Sequence, residues 1–171
     1  MKTPICSFDA KSGILCSTCE NKVKSGSLTK TDVELSINLT KLLNKVPELN
    51  KLEFKKCIEV NEYTILIFSG LKANFNNNIY SFNKKISQEL NKKIWSIEGD
   101  LSTRKLIEEL FKPIKVLTVN IIWLPDGSEI MKVVLTGKKP RELSIKIDEI
   151  KDIISKLKKI NLTVEFEKKW I

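Results

Sequence analysis

Apolar residues recur along this chain with two different periods, and the switches between them divide it into elements. From Thr31 the period is helical. Val33, Leu35, Ile37, Leu39, Leu42, Leu43 and Val46 make an apolar face, Thr31-x-x-Glu34 has the pattern of a capping box, and Pro47 lies just past the end. Residues 52–60 and 63–68 then read as strands joined at Asn61-Glu62, followed by a polar loop, 69–78, containing Asn76-Asn77-Asn78. Phe82, Ile86 and Leu90, spaced four apart, predict a helix, and 93–97 a short strand. After Gly99-Asp100 the order recurs. A helix over 101–111 enters through Ser102 or Thr103, and a continuous apolar strand covers 114–124. Pro125-Asp126-Gly127 signals a hairpin turn, with a return strand over 129–135 and a loop at Gly137-Lys138-Lys139-Pro140. A helix over 141–159 carries Ile147, Ile150, Ile153, Ile154 and Leu157, and a last strand over 161–167 points Leu162, Val164 and Phe166 inward.

Helix, strand, strand, loop, helix, strand, twice over, predicts an α+β protein. Its organisation would be a cysteine segment over 1–28 and two modules over 29–99 and 100–171, each a three-stranded sheet with helices on one face. The recurrence is one of element order, not of matching residues, so a single α+β domain without internal symmetry fits the same pattern. Cys57 and Trp123 both fall inside strands. Cys57 is expected to be a core thiol, and Trp123 to lie in the core or at an interface between modules.

Composition narrows the function classes. No apolar run approaches the ~18 residues that a spanning helix needs, and residues 1–14 lack a basic stretch followed by an apolar one. A cytoplasmic protein with no membrane association is the expectation. The formal net charge is +9 over 171 residues, distributed as +3 in 1–30, +1 in 31–100 and +5 in 101–171. Such a balance favours a polyanionic partner, since each neutralised phosphate releases condensed counterions. Nearly all the positive charge is lysine, with Arg104 and Arg141 the two arginines, so little base readout through guanidinium forks is expected. A lysine-rich solubility surface is the plain alternative. There is no histidine, which removes the commonest general base and every His-based zinc site. Adjacent acids such as Glu108-Glu109 point in different directions from a helix, and no phosphate-cradling glycine loop occurs. Neither an enzyme nor a small-molecule substrate is expected.

The densest chemistry lies at the amino end. Cys16-x-x-Cys19 has the spacing of a zinc knuckle, in which a tight turn lets two thiolates from one loop face one ion. Cys6-x-x-Asp9 repeats that spacing with a carboxylate in the second place, and Gly13 between the pairs suits a reversal. Cys6, Asp9, Cys16 and Cys19 could therefore close one structural zinc site with three sulfurs and one oxygen, weaker than four thiolates because carboxylate is the harder ligand. Two other states fit the same residues: reduced thiols without metal, or a disulfide between Cys16 and Cys19 or between Cys6 and Cys16.

The order of elements, with a loop ahead of the main helix, resembles a KH module, an RNA-binding fold in which a Gly-x-x-Gly loop clamps the backbone of about four nucleotides. Three segments carry a closer resemblance. They are the knuckle with Lys11-Ser12-Gly13-Ile14-Leu15-Cys16-x-x-Cys19, the helix end Ser87-Gln88-Glu89-Leu90-Asn91-Lys92-Lys93-Ile94, and Val116-Leu117-Thr118-Val119-Asn120-Ile121-Ile122-Trp123-Leu124-Pro125-Asp126-Gly127. Together they resemble an archaeal family of NusA-like KH proteins, described as transcription elongation or termination factors. The resemblance covers nearly the whole chain. It implies single-stranded RNA as ligand and RNA polymerase or the ribosome as the setting.

The resemblance puts the first clamp loop near Asn77-Asn78-Ile79-Tyr80, which has no glycine, and the second at Gly137-Lys138-Lys139-Pro140, which keeps one. The expected RNA contacts are Asn77, Asn78 and Tyr80 at the first loop, Lys84 and Lys85 behind it, and Gly137, Lys138 and Lys139 at the second. Tyr80 or Phe75 could stack on bases, Lys92 and Lys93 extend the basic surface, and Lys168-Lys169-Trp170 form a basic-aromatic tail. The missing glycines motivate a second reading: a degenerate KH module that binds protein inside a polymerase or ribosome assembly.

Overall fold

The computed structural model describes residues 1–75, 79–99, 101–137 and 146–167. They divide into two compact units, Met1–Asp100 and Leu101–Ile171.

The first unit opens with two short helices, α1 (Ser7–Ser12) and α2 (Ser17–Lys24), ahead of the main helix α3 (Lys30–Lys41). The cap of α3 lies two residues before the expected one. Thr29, not Thr31, is the N-cap, and Asp32, not Glu34, closes the box. Asp32 wins because it serves two elements at once. Its Oδ2 accepts from the Thr29 amide and hydroxyl at 2.9 and 2.8 Å, while Oδ1 accepts from the Cys57 amide at 2.7 Å. Exposed Glu34 has no such reach. The crowded apolar pattern of α3 serves two cores. Leu35 and Leu39 join Phe54, Leu66, Phe68, Phe82 and Ile86 in one buried cluster, whereas Val33 and Ile37 pack against Ile5, Ala10, Cys19 and Leu28 in another.

Two 3-10 turns, Leu42–Asn44 and Pro47–Lys51, lead into β1 (Glu53–Val60) and β2 (Tyr63–Ser69), and β3 (Lys93–Glu98) completes the sheet. The strand order is β1-β2-β3, with β1 antiparallel and β3 parallel to the central β2. A parallel neighbour demands a crossover, which α4 (Leu71–Asn74) and α5 (Ile79–Leu90) supply. The central strand is buried from Thr64 to Phe68. Phe54, Phe68 and Phe82 stack in series with ring centroids 5.6 and 6.1 Å apart, and Phe75 joins Phe82 at 4.6 Å. The short helix α4 lies where the sequence predicted only loop. Its first turn is capped from β3, with the Glu98 carboxylate accepting from the Gly70 and Lys72 amides at 3.0 Å each, a partner that no local pattern reveals.

The second unit repeats this plan. After α6 (Thr103–Leu110) come β4 (Val116–Trp123), β5 (Glu129–Leu135), α7 (Ile147–Lys158) and β6 (Asn161–Phe166). The order is β4-β5-β6, again one antiparallel and one parallel pair about a central hairpin strand. Even the irregularity recurs: each hairpin shifts register near its open end, at Phe54/Lys56 in one and Val116/Thr118 in the other. Leu106, Ile107, Leu110, Met131, Val133, Leu135, Ile150, Ile153 and Ile154 are buried here. The expected helix start at 141–145 lies outside the described residues. Trp123 does not lie in the core of its unit. It is 68% exposed, as β4 is an edge strand with β5 on one side and its hairpin end lies open. Among the described residues no helix is long and apolar enough to cross a membrane.

Candidate metal centre

The two Cys-x-x pairs share one local geometry. Cys6 is the N-cap of α1 and Asp9 its third residue; Cys16 is the N-cap of α2 and Cys19 its third. N-cap and third residue lie on the same side of a first helical turn, where a side-chain acceptor meets free amides. Each pair thus offers two donors to one point, from a helix start where a loop was expected. Gly13 ends α1 with φ of 78°, a left-handed conformation that glycine adopts without strain, and so reverses the chain toward Cys16.

The two helix starts converge. The three sulfurs and a carboxylate oxygen of Cys6, Asp9, Cys16 and Cys19 all lie within 4.8 Å of one another. Backbone amides already donate to three of them. The Asp9 amide donates to the Cys6 Sγ at 3.4 Å, the Cys6 amide to the Cys19 Sγ at 3.4 Å, and the Cys16 amide to Asp9 Oδ2 at 3.0 Å. Cys19 and Asp9 are buried, Cys16 is half-buried and Cys6 is exposed. Packing of α1 on α3, with Ala10 and Cys19 against Val33 and Ile37, fixes the cluster on the main body of the unit.

Electrostatics give the two buried members opposite characters. The neighbouring Cys19 thiol, then the Cys16 amide, hold the Asp9 carboxyl far below the usual carboxylate range, against its burial. The Cys19 thiol is pushed up to about 12, by burial first and by the adjacent Asp9 second. The cluster therefore has one committed anion and a thiol that keeps its proton at neutral pH unless a cation binding the sulfur displaces it. Asp9 Oδ1 is buried and meets no donor in hydrogen-bonding geometry among the described residues. An orphaned carboxylate oxygen amid three sulfurs is what a thiophilic cation would satisfy. The four residues lie together as for a structural metal site, and three sulfurs with one oxygen suit zinc, for which tetrahedral closure with metal–sulfur distances of about 2.3 Å is usual. All four cysteines are free thiols, so neither candidate disulfide is formed. Cys57 is buried away from the cluster, as expected of a core thiol.

The expected RNA contacts are only partly brought together. Tyr80, 73% exposed, and Lys84 stand one turn apart on the solvent side of α5. Lys85 is tied to Glu48 at 2.7 Å, Lys92 to Glu59 at 4.0 Å, and Lys93 to Glu62. Phe75 is committed to the core beside Phe82. Gly137 has φ of 78° with open space where a Cβ would stand, so conformation alone asks for glycine there. Asn77, Asn78, Lys138, Lys139 and the tail 168–170 lie outside the described residues. Two exposed apolar residues beside the cluster, Phe8 and Ile14, were not singled out by periodicity. Their signal was an apolar residue next to a ligand pair with no partner at helical or strand spacing.

No protein-family model and no curated protein matches this chain. Among solved structures it is similar to the crystal structure of APE1850, at 16% identity over 75% of this chain and 96% of that one, with a TM-score of 0.47.

Proposed function

We propose that this protein is a KH-like RNA-binding factor of the NusA-like kind, working on transcripts in the cytoplasm, with a zinc ion held by Cys6, Asp9, Cys16 and Cys19 as a structural brace. When bound, the ion would supply cross-linking of two helix starts, not chemistry on a substrate. The observation that carries the RNA reading is the entrance to α5. There Tyr80 offers an exposed ring and Lys84 an unpaired ammonium among the described residues, side by side on one helix face. An aromatic face and a cation on one surface suit a base and its phosphate. The chain's net charge of +9 supplies the long-range attraction.

Fluorescence anisotropy of a short single-stranded RNA, titrated across a salt series, tests this. Affinity should fall with salt, the slope reporting about 0.7 per neutralised phosphate. Tyr80→Ala should weaken binding by about 1–3 kcal/mol if the ring stacks on a base. Binding unchanged in Tyr80→Ala/Lys84→Glu would remove this surface from the reading.

One observation favours a protein-binding module instead. The lysines flanking α5 and β3 are engaged, by Glu48 for Lys85, Glu59 for Lys92 and Glu62 for Lys93, which lowers the positive potential where a clamp would act. No RNA affinity at low salt, together with recovery of the chain with RNA polymerase or ribosomes, would select that reading.

A further inference from the structure

Among the described residues each sheet has two edge strands, β1 and β3 in one and β4 and β6 in the other, and three of the four carry charge. β1 has Glu53, Lys55, Lys56 and Glu59, β3 has Lys93 and Glu98, and β6 has Glu165. The β1 edge is also partly occupied, since Lys2 bridges to it. Charge on an edge discourages pairing with other strands. β4, Val-Leu-Thr-Val-Asn-Ile-Ile-Trp, has no charged residue in eight, within a chain that is 30% charged.

The hairpin fixes which backbone groups of β4 are free. The Leu124 amide donates to the Ser128 carbonyl at 2.9 Å, so residue 124 bonds toward β5. Bonding direction alternates along an antiparallel pair, and the register runs without a break from Trp123↔Glu129 to Thr118↔Val134. Ile122, Asn120 and Thr118 therefore also bond toward β5, while Val119, Ile121 and Trp123 aim their N–H and C=O outward. The same three side chains share a face with Val133, Met131 and Glu129 across the pair. That face is the one that buries Met131 and Val133, yet Ile121 is 53% and Trp123 68% exposed. Free backbone and uncovered apolar side chains coincide at one place.

We infer that β4 is a self-pairing edge: two copies of this chain join β4 to β4 antiparallel about a two-fold axis through Ile121, making one six-stranded sheet. The axis must stand perpendicular to the sheet, which keeps each face on its own side. It then pairs Ile121 with Ile121 of the second copy and Val119 with Trp123 of the second copy. All three are outward-bonding residues, so the register makes six backbone hydrogen bonds and covers both exposed side chains. A second copy suits this edge because the strand brings no charge to oppose its own image, and its free bonding positions are symmetric about Ile121.

Sedimentation velocity of the full chain over a wide concentration range tests the proposal. A monomer–dimer equilibrium is expected, tightening with salt because screening relieves repulsion between two chains of +9. Ile121→Lys sets two ammonium groups face to face and should raise the dimer Kd more than about tenfold. Val119→Lys and Trp123→Glu should each weaken the dimer, and the double variant should restore it through two Lys–Glu pairs across the axis. Asn161→Lys, on the β6 edge, should leave it unchanged. In the unsubstituted chain, hydrogen exchange at Val119, Ile121 and Trp123 should slow as concentration rises, which needs no variant to fold. A monomer at every concentration overturns the proposal, whether those amides exchange freely or are protected by another segment of the same chain. A dimer indifferent to Ile121→Lys, with circular dichroism unchanged, overturns it as well.

Discussion

Asp9 joins the two helix starts of the candidate metal centre. It is the one oxygen among three sulfurs, it takes the Cys16 amide, and its second oxygen is buried without a donor among the described residues. Elution of about one zinc per chain is expected from protein purified without added metal, read by atomic absorption. Asp9→Cys should tighten the site, since a fourth thiolate is the softer ligand, and Asp9→Ala should loosen it by about 100-fold or more, beyond the usual cost of losing an outer-shell partner. Metal must displace the proton of Cys19, whose thiol stands at about 12, so affinity should fall as pH falls, by about tenfold per pH unit for each thiol still protonated. A competition titration with a chromophoric chelator at several pH values reads both effects. Cys57 gives an independent pH dependence. Its thiol is raised from 9.0 to about 12, by burial first and by Asp32 second. The folded state therefore favours the neutral thiol, and this contribution is complete below pH 9 and lost as pH climbs toward 12. Urea midpoints of metal-loaded protein should decline over that window, and Cys57→Val should flatten the decline.

At the scale of elements, α3 is the hinge of the first unit's architecture. It carries two apolar faces, and Asp32 ties its start to β1 through the Cys57 amide. Asp32→Ala removes a cap and leaves a buried amide without an acceptor, so a loss of about 2–4 kcal/mol is expected in urea unfolding. Thr31→Ala and Glu34→Ala, which remove the box that spacing alone suggested, should each cost under about 0.5 kcal/mol, as ordinary surface changes do. Equal losses from both sets would contradict the observed cap. The choice between two overlapping Thr-x-x-acid patterns was not local. It was made by β1, which needs an acceptor for Cys57 within reach of a short side chain. Helix α4 is the same case, capped by Glu98 from a strand more than twenty residues away.

At the scale of the molecule, the two units repeat one topology down to the register shift in each hairpin. The metal centre belongs to the first unit alone. Removal of metal by a chelator should raise hydrogen exchange in α1 and α2 and at the Val33 and Ile37 face of α3, while β4, β5 and β6 keep their protection. Loss of protection throughout both units would mean that the brace supports more than its own corner.

Periodicity and spacing by themselves determined the α+β class, the six strands and the ligand set. A 3.6 or 2.0 period registers burial of a face whatever lies against it, and Cys-x-x-Cys beside Cys-x-x-Asp spaces two pairs of donors so that each can face one ion. Tertiary structure alone decided the rest. The parallel pairing of β3 and β6, the cap of α3 and the convergence of two ligand pairs all depend on partners distant in sequence. So does the exposure of Trp123, which a run of apolar residues assigned to the core or to an interface between modules. A residue's pattern records that it is apolar, whereas burial depends on whether another element covers that end of the strand, and for the hairpin end of β4 none among the described residues does.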